Sequence, residues 1–222
     1  MIKTKKLLIV GLSNNSKIAS YYFERDTEFS VIGFCVDKEY MKENTFCNLP
    51  IFDLEKINFS HPPEQFQIFV ATGYNQMNTI RENLYLRVKK MGYSLPNYIS
   101  PKCSFLSEEI IGDNNFILED NTIQPFVKLG SNNVIWSGNH IGHDVIIGDH
   151  NFITSHVVIA GFTKIGNNTF LGINSTIRDG IIISNKTLIG AGSLILKSTE
   201  PETVYFSNKA TLASFKSNEI QI

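Results

Sequence analysis

From Ile111 to Ile195 every sixth residue is isoleucine or leucine. The series runs Ile111, Ile117, Ile123, Leu129, Ile135, Ile141, Ile147, Ile153, Ile159, Ile165, Leu171, Ile177, Ile183, Ile189 and Ile195, and the same phase reaches back to Phe105 and Ile99. The residue after the large aliphatic is often small (Gly112, Gly130, Gly142, Gly148, Ala160, Gly166, Gly172, Gly190). The fifth position is usually small, β-branched or Asn, as at Val127, Val145, Val157, Thr163, Thr169 and Ser175. A period of six matches neither an α-helix nor a hairpin sheet, because neither returns the same face every sixth residue. It matches a chain that turns every six residues, so that three short strands close a triangular coil of about 18 residues, the hexapeptide parallel β-helix. Aliphatic side chains then stack in columns inside a prism, each coil covering its neighbours.

Residues 1–98 have a different texture. Lys6–Val10, Val31–Val36 and Phe66–Ala71 read as short buried strands, and Lys17–Glu24 and Met77–Lys90 as amphipathic helices. Ser13-Asn14-Asn15-Ser16 supplies cap-type residues before the first helix. Pro50–Phe52 and Asp53–Ile57 fall in a variable segment, and Tyr98-Ile99 leads into the prism. The alternation predicts a small open α/β unit with parallel strands, Rossmann-like in type. The expected organisation is an α/β domain over 1–98, a β-helix over 99–198, and a C-terminal tail over 199–222. Pro201 ends the ladder, and Tyr205, Phe206 and Phe215 are expected to pack back over the last coil.

Composition narrows the class. The 222 residues carry a net charge near −1, with 42% hydrophobic and 18% charged residues. Such a balance gives no electrostatic footprint for nucleic acid or an anionic membrane. No apolar run predicts a membrane-spanning helix or a signal peptide. Cys35, Cys47 and Cys103 lack zinc-type spacing and read as reduced thiols in a cytoplasm.

Two sets of residues suggest chemistry. In open α/β sheets ligands sit beyond the carboxyl ends of the strands. Here those ends are Gly11–Asn15, Asp37-Lys38 and Gly73–Asn75. Amides at a helix start suit a phosphate, Lys38 adds charge, and a carboxylate after the second strand suits a ribose or base hydrogen bond. The loop Gly11-Leu12-Ser13-Asn14-Asn15-Ser16 is not Gly-x-Gly-x-x-Gly, which points away from a dinucleotide and toward a nucleotide carrying a sugar. The same residues also serve as ordinary turn formers.

The second set lies in the prism, where the repeat is interrupted at Trp136–Asp144 by His140 and His143, followed by His150 and His156. Residues eighteen apart stack, which puts His143 below Gly161 and above Pro125. A glycine beside an imidazole leaves a slot for a thin acyl–pantetheine arm. Imidazole takes a proton near neutrality, and Asp144 is placed to hold its other nitrogen. His140 is a candidate substrate contact, and His150 and His156 are expected at the surface or an interface.

The repeat, the His143-Asp144 turn and the α/β domain together resemble the left-handed β-helix acyltransferases, in the branch of nucleotide-amino-sugar N-acetyltransferases and sialic-acid O-acetyltransferases. The segments that carry this likeness are Gly11–Ser16, Asp37-Lys38, Gly73–Asn75, His143–Gly148 and Phe170–Ser175. The resemblance implies a homotrimer with acetyl-CoA as co-substrate between neighbouring prisms, and no metal. It implies nucleotide-sugar binding at Gly11, Ser13, Asn14, Asp37, Lys38, Gly73 and Asn75. His143 would be the base, with Asp144 beside it. CoA would touch Gly161, Gly172, Ile173, Asn174, Gly190 and Gly192. The expected reaction is N-acetylation of a UDP- or dTDP-linked amino-deoxy sugar for a bacterial surface glycan.

Three departures from the family stand out. The acid is Asp144 where the bacillosamine-pathway enzyme has Glu. Phe152 stands where that enzyme has a second histidine, whose role is absent or passes to His140, His150 or His156. Ser207-Asn208-Lys209-Ala210 replaces the usual Gly-x-Pro-Ala-Lys. Alternatives are sugar O-acetylation, a non-catalytic β-helix scaffold, and a zinc site built from His140, His143 and His156 at a subunit interface.

Overall fold

The computed structural model describes residues 2–109 and 111–212, with Ser214 and Lys216. The amino-terminal unit runs β1 (Lys5–Val10), α1 (Asn14–Asp26), β2 (Phe29–Val36), β3 (Thr45–Phe46), β4 (Leu49–Asp53), α2 (Ile57–Ser60), β5 (Gln67–Val70) and α3 (Thr79–Lys90). Its sheet has the order β3-β4-β2-β1-β5 and is parallel except where β3 pairs antiparallel with β4. The variable segment therefore supplies an edge strand. The short hairpin at Cys47-Asn48, both at positive φ, lets it turn back.

Helix α3 starts two residues later than the periodicity predicts. Gln76, Met77 and Asn78 are consecutively left-handed, with φ of 52°, 49° and 66°. That conformation cannot be part of a right-handed helix.

From Tyr98 onward the chain winds a three-sided parallel β-helix, each rung pairing with the residue eighteen positions on, as in Val134↔Phe152 and His140↔Val158. Face 1 begins at Tyr98-Ile99 and has seven strands; face 2 begins at Ser104-Phe105 and has six. Face 3 has four strands from Lys128-Leu129, extended by an Ile111↔Leu129 bridge. The aliphatic column from Ile117 to Ile195 forms one buried core.

Every sixth residue at a corner, from Asn114 through Gly192, has positive φ. Asn and Asp tolerate this region and Gly enters it freely. Corner backbone amides are held by buried asparagine ladders: Asn115 Oδ1 accepts from Asn133 N, Asn133 Oδ1 from Asn151 N, and Asn151 Oδ1 from Thr169 N, at 2.7–2.9 Å. The fifth position of the repeat is thus a small or β-branched residue or an amide that binds the next coil.

The α1 side of the sheet packs on face 1. Phe23, Phe34 and Phe69 share a core with Tyr98, Phe116, Val134 and Phe152, which point outward from the prism. Tyr98-Ile99 is thus the first rung of the prism rather than a strand of the α/β sheet. Val204-Tyr205 adds the last rung of face 1, so the tail covers the prism end there, although Phe206 is 80% exposed. Phe215 lies outside the described residues.

Candidate functional site

The corner between faces 2 and 3 carries His143 and Asp144. Asp144 adopts φ 57°, and this turn brings two adjacent side chains into one cleft. Asp144 Oδ2 lies 2.9 Å from His143 Nδ1. A carboxylate only accepts hydrogen bonds, so Nδ1 carries the proton and Nε2 is left with a free lone pair. Asp is also an acid that tolerates a left-handed corner.

Both side chains are about half exposed, at 51% and 41%. The ring of Phe162 meets the imidazole edge-on at 4.9 Å, and Gln124 Oε1 accepts from His143 N–H at 2.9 Å. A Cβ on Gly161 would sit 3.0 Å from His143 Nε2, so the glycine keeps the slot beside the lone pair open. Among the described residues no backbone carbonyl accepts from Gly161 N–H.

The other histidines lie elsewhere. His140 points outward from face 2, where it is exposed. His156 sits at the corner between faces 1 and 2, with its ring over Gly138. His150 occupies the third corner and is buried against α3, with Tyr85 edge-on at 5.5 Å. Its Nδ1 accepts from Asn132 Nδ2 at 2.9 Å, and Asn132 Oδ1 accepts from Asn114 Nδ2. Asn114 is fixed in turn by both the N–H and the C=O of Val70. That chain of amides sets His150 neutral with Nε2 protonated, and burial lowers its pKa further. Phe152 is buried in the domain seam, stacked on Phe170, with Tyr74 edge-on at 4.9 Å. No histidine replaces it there.

The carboxyl ends of β1, β2 and β5 frame a cavity of about 650 Å³, lined among others by Gly11, Ser13, Asp37, Thr72, Asn83 and Arg87. Gly11 is required: its φ is 120°, and a Cβ would meet Ser16 Oγ at 2.6 Å. Asp37 pairs with Arg87 Nη1 at 2.6 Å. Arg87 supplies the cation that sequence reasoning gave to Lys38, which is exposed and outside the lining.

Asn14 also lies outside that cavity. It lines a groove between α1 and the prism with Lys17, Tyr22, Glu119 and Trp136. Asn15 and Tyr74 line a neighbouring slot of about 300 Å³ with Trp136, Phe152 and Ile173. Gly73 borders Asn15 with room for a side chain, and Asn75 is exposed.

The residues expected at a cofactor are not all together. Gly161 shares the edge of His143, whereas Ile173, Asn174 and Gly192 occupy the edge between faces 1 and 2, and Gly172 and Gly190 stack just inside it. Gly172 packs on the next coil, with Ala191 N 2.6 Å from a Cβ position, and Gly190 lies under Phe206. These two are packing glycines. Phe162, eighteen residues from Asp144, follows the stacking rule and was legible; Gln124 and Arg87 carried no such signal.

The profile of the bacterial transferase hexapeptide family (six repeats) matches residues 129–161 and 162–197. Comparison with curated proteins gives no match. The fold is shared with solved structures over nearly the whole chain. The acetyltransferase domain of PglB from Neisseria gonorrhoeae, at 22% identity, aligns with a TM-score of 0.82 over 94% of this chain and 99% of its own. Perosamine N-acetyltransferase from Caulobacter crescentus, solved with CoA and GDP-perosamine, gives 0.80 at 20% identity over 93% and 96%. WeeI from Acinetobacter baumannii gives 0.77 at 19% identity over 90% and 96%. The chain is therefore an α/β domain joined to a left-handed β-helix. No described helix is long and apolar enough to cross a membrane.

Proposed function

We propose that this protein transfers the acetyl group of acetyl-CoA to the amine of a nucleotide-linked amino-deoxy sugar, with His143 as general base. The observation that carries the reading is the His143–Asp144 pair at 2.9 Å, with Nε2 facing the open slot at Gly161. The neighbours support the chemistry: one is an acetyltransferase domain solved with acetyl-CoA, and another an N-acetyltransferase solved with CoA and GDP-perosamine.

In this reading the amine nitrogen attacks the thioester carbonyl while His143 Nε2 accepts a proton from it. Asp144 steadies the imidazolium, and Gly161 N–H, which donates to no backbone carbonyl among the described residues, is free to donate to the oxyanion. The carbon–sulfur bond then breaks, His143 returns the proton to the sulfur, and an amide and free CoA result.

A single chain does not complete this site. The cavity at the strand ends belongs to the domain on face 1, while His143 stands on the edge between the two faces that domain leaves bare. The edge carrying Ile173 and the Tyr74 slot is a different one. The proposed assembly is a homotrimer in which His143 and Gly161 of one protomer meet the Ile173 edge and nucleotide cavity of its neighbour. Acetyl-CoA lies between them.

The deciding experiment follows release of CoA thiol from acetyl-CoA with UDP-, dTDP- and GDP-linked 3- and 4-amino sugars and with sialic acid. Turnover of one amino sugar, lost in His143→Ala, supports the proposal and names the nucleotide. Turnover of sialic acid alone moves the acceptor to a hydroxyl. Silence across the panel leaves a scaffold.

A further inference from the structure

The least expected segment of the backbone lies beside the nucleotide cavity. Gln76, Met77 and Asn78 are three successive non-glycine residues in the left-handed region. Gln76 and Met77 are disfavoured there, Asn78 less so, and such a run persists only where its surroundings over-determine it.

Those surroundings come from the prism and from one buried arginine. Asn78, fully buried, donates from Nδ2 to Thr169 O at 2.9 Å. Met77 O accepts from Asn168 Nδ2 at 3.4 Å. Arg81, also fully buried, spreads its guanidinium across both units. Nη2 donates to His150 O and Asn151 O at 3.0 and 2.9 Å, and Nη1 to Asn78 Oδ1 and Gly73 O at 3.1 and 3.3 Å. Its Cζ lies 5.6 Å from the centroid of the Phe152 ring. All four acceptors are neutral oxygens. Burial without a paired carboxylate lowers the pKa of Arg81 to about 9, which leaves it charged at neutral pH.

This is an unusual use of a buried cation. A fold in need only of stability gains as much from apolar packing. What the fork provides is direction: it ties Gly73 O, the Asn78 side chain and two prism carbonyls to one rigid group. Gly73 lies between Thr72, which lines the strand-end cavity, and Tyr74, which lines the slot with Trp136.

We infer that Arg81 and Asn78 are positioning residues that clamp the 73–78 loop to the prism of the same chain, so that the acceptor-binding loop keeps a fixed place beside the Ile173 edge. The inference rests on the proposed transfer reaction for its kinetic consequence, and on the geometry alone for the clamp. Neither residue touches substrate or cofactor in this account.

The test uses the full-length protein with Asn78→Gly and Arg81→Met. Glycine accepts the left-handed φ, so Asn78→Gly removes the clamp while relieving the backbone. The expected result is hydrogen exchange at residues 73–78 about tenfold faster in either variant. KM for the nucleotide amino sugar rises about tenfold while KM for acetyl-CoA holds within about twofold. Exchange as slow as in the wild type overturns the inference, and so do two KM values that move together, as a merely structural loss would produce. Should the wild type release no CoA with any amino sugar, the transfer reading fails and the exchange rates alone decide the clamp.

Discussion

A Cβ added to Gly142 would stand 2.7 Å from the backbone nitrogen of Gly161 in the coil above. The two glycines thus form one feature: the first gives the second's amide room, and the second leaves space beside the imidazole. The contact is with backbone, so a larger residue at 142 has to displace the strand. Gly142→Ala is expected to cost about 1–3 kcal/mol in stability and to lower kcat with little change in KM for either substrate. Thermal melts with steady-state kinetics check both. Gly161→Ala, crowding His143 itself, should lose activity by about 10²-fold or more at nearly unchanged Tm.

Removal of the base has a different signature. His143→Ala should reduce kcat by about 10²–10⁴-fold while acetyl-CoA binding, read by calorimetry, is retained. Asp144→Asn keeps the corner conformation but no longer holds the imidazole as a carboxylate does. A smaller loss with an altered pH–rate profile is expected. Equal activity of wild type and His143→Ala would remove the residue from the mechanism.

At the nucleotide cavity the ion pair is the test. Arg87→Ala leaves Asp37 unpaired, and Asp37→Ala removes the acceptor itself; side-chain exposures of 36% and 35% make the pair's own stability contribution small. Both variants should weaken nucleoside diphosphate binding by about tenfold, roughly one charge-assisted hydrogen bond. Lys38→Ala, outside the lining, should not. Calorimetric titration with a nucleoside diphosphate distinguishes them.

Much of this was legible from spacing. The phase from Ile99 to Ile195 held without a slip, the stacking of His143 under Gly161 followed from it, and the strand ends at Gly11 and Asp37 do frame a cavity. What sequence reasoning missed depends on contacts between units. Arg81 sits in a helical pattern where a cation reads as solvated surface, yet its partners are seventy residues away on the prism. Asn78 falls inside a run with helical periodicity and no glycine to announce a turn. Phe152 reads as an absent histidine, although its ring is a wall of the domain seam.

Acid should act at His150. Burial lowers its pKa, and the Val70–Asn114–Asn132 amide chain presents a donor to Nδ1. Glu82 and Asp149 face it as acids, Arg81 as a cation, and Tyr85 as a neutral ring. The native state therefore prefers the neutral ring. Its stabilisation is complete above the unfolded value near 6.5 and is lost as pH falls through that value toward the lower native one. Tm should decline across this interval, and His150→Asn should flatten the decline. An unaltered profile in that variant assigns the acid sensitivity to other groups.

The eighteen-residue step that pairs Val134 with Phe152 and His140 with Val158 also governs how such a chain can change length. One inserted residue would rotate every later side chain out of its column, sending the aliphatics outward and the corner amides inward. Whole coils can be added or removed without that penalty, each moving the upper edge by one strand spacing of about 4.8 Å. The reach from the His143 corner to the far end of the prism is therefore inherited in integer rungs.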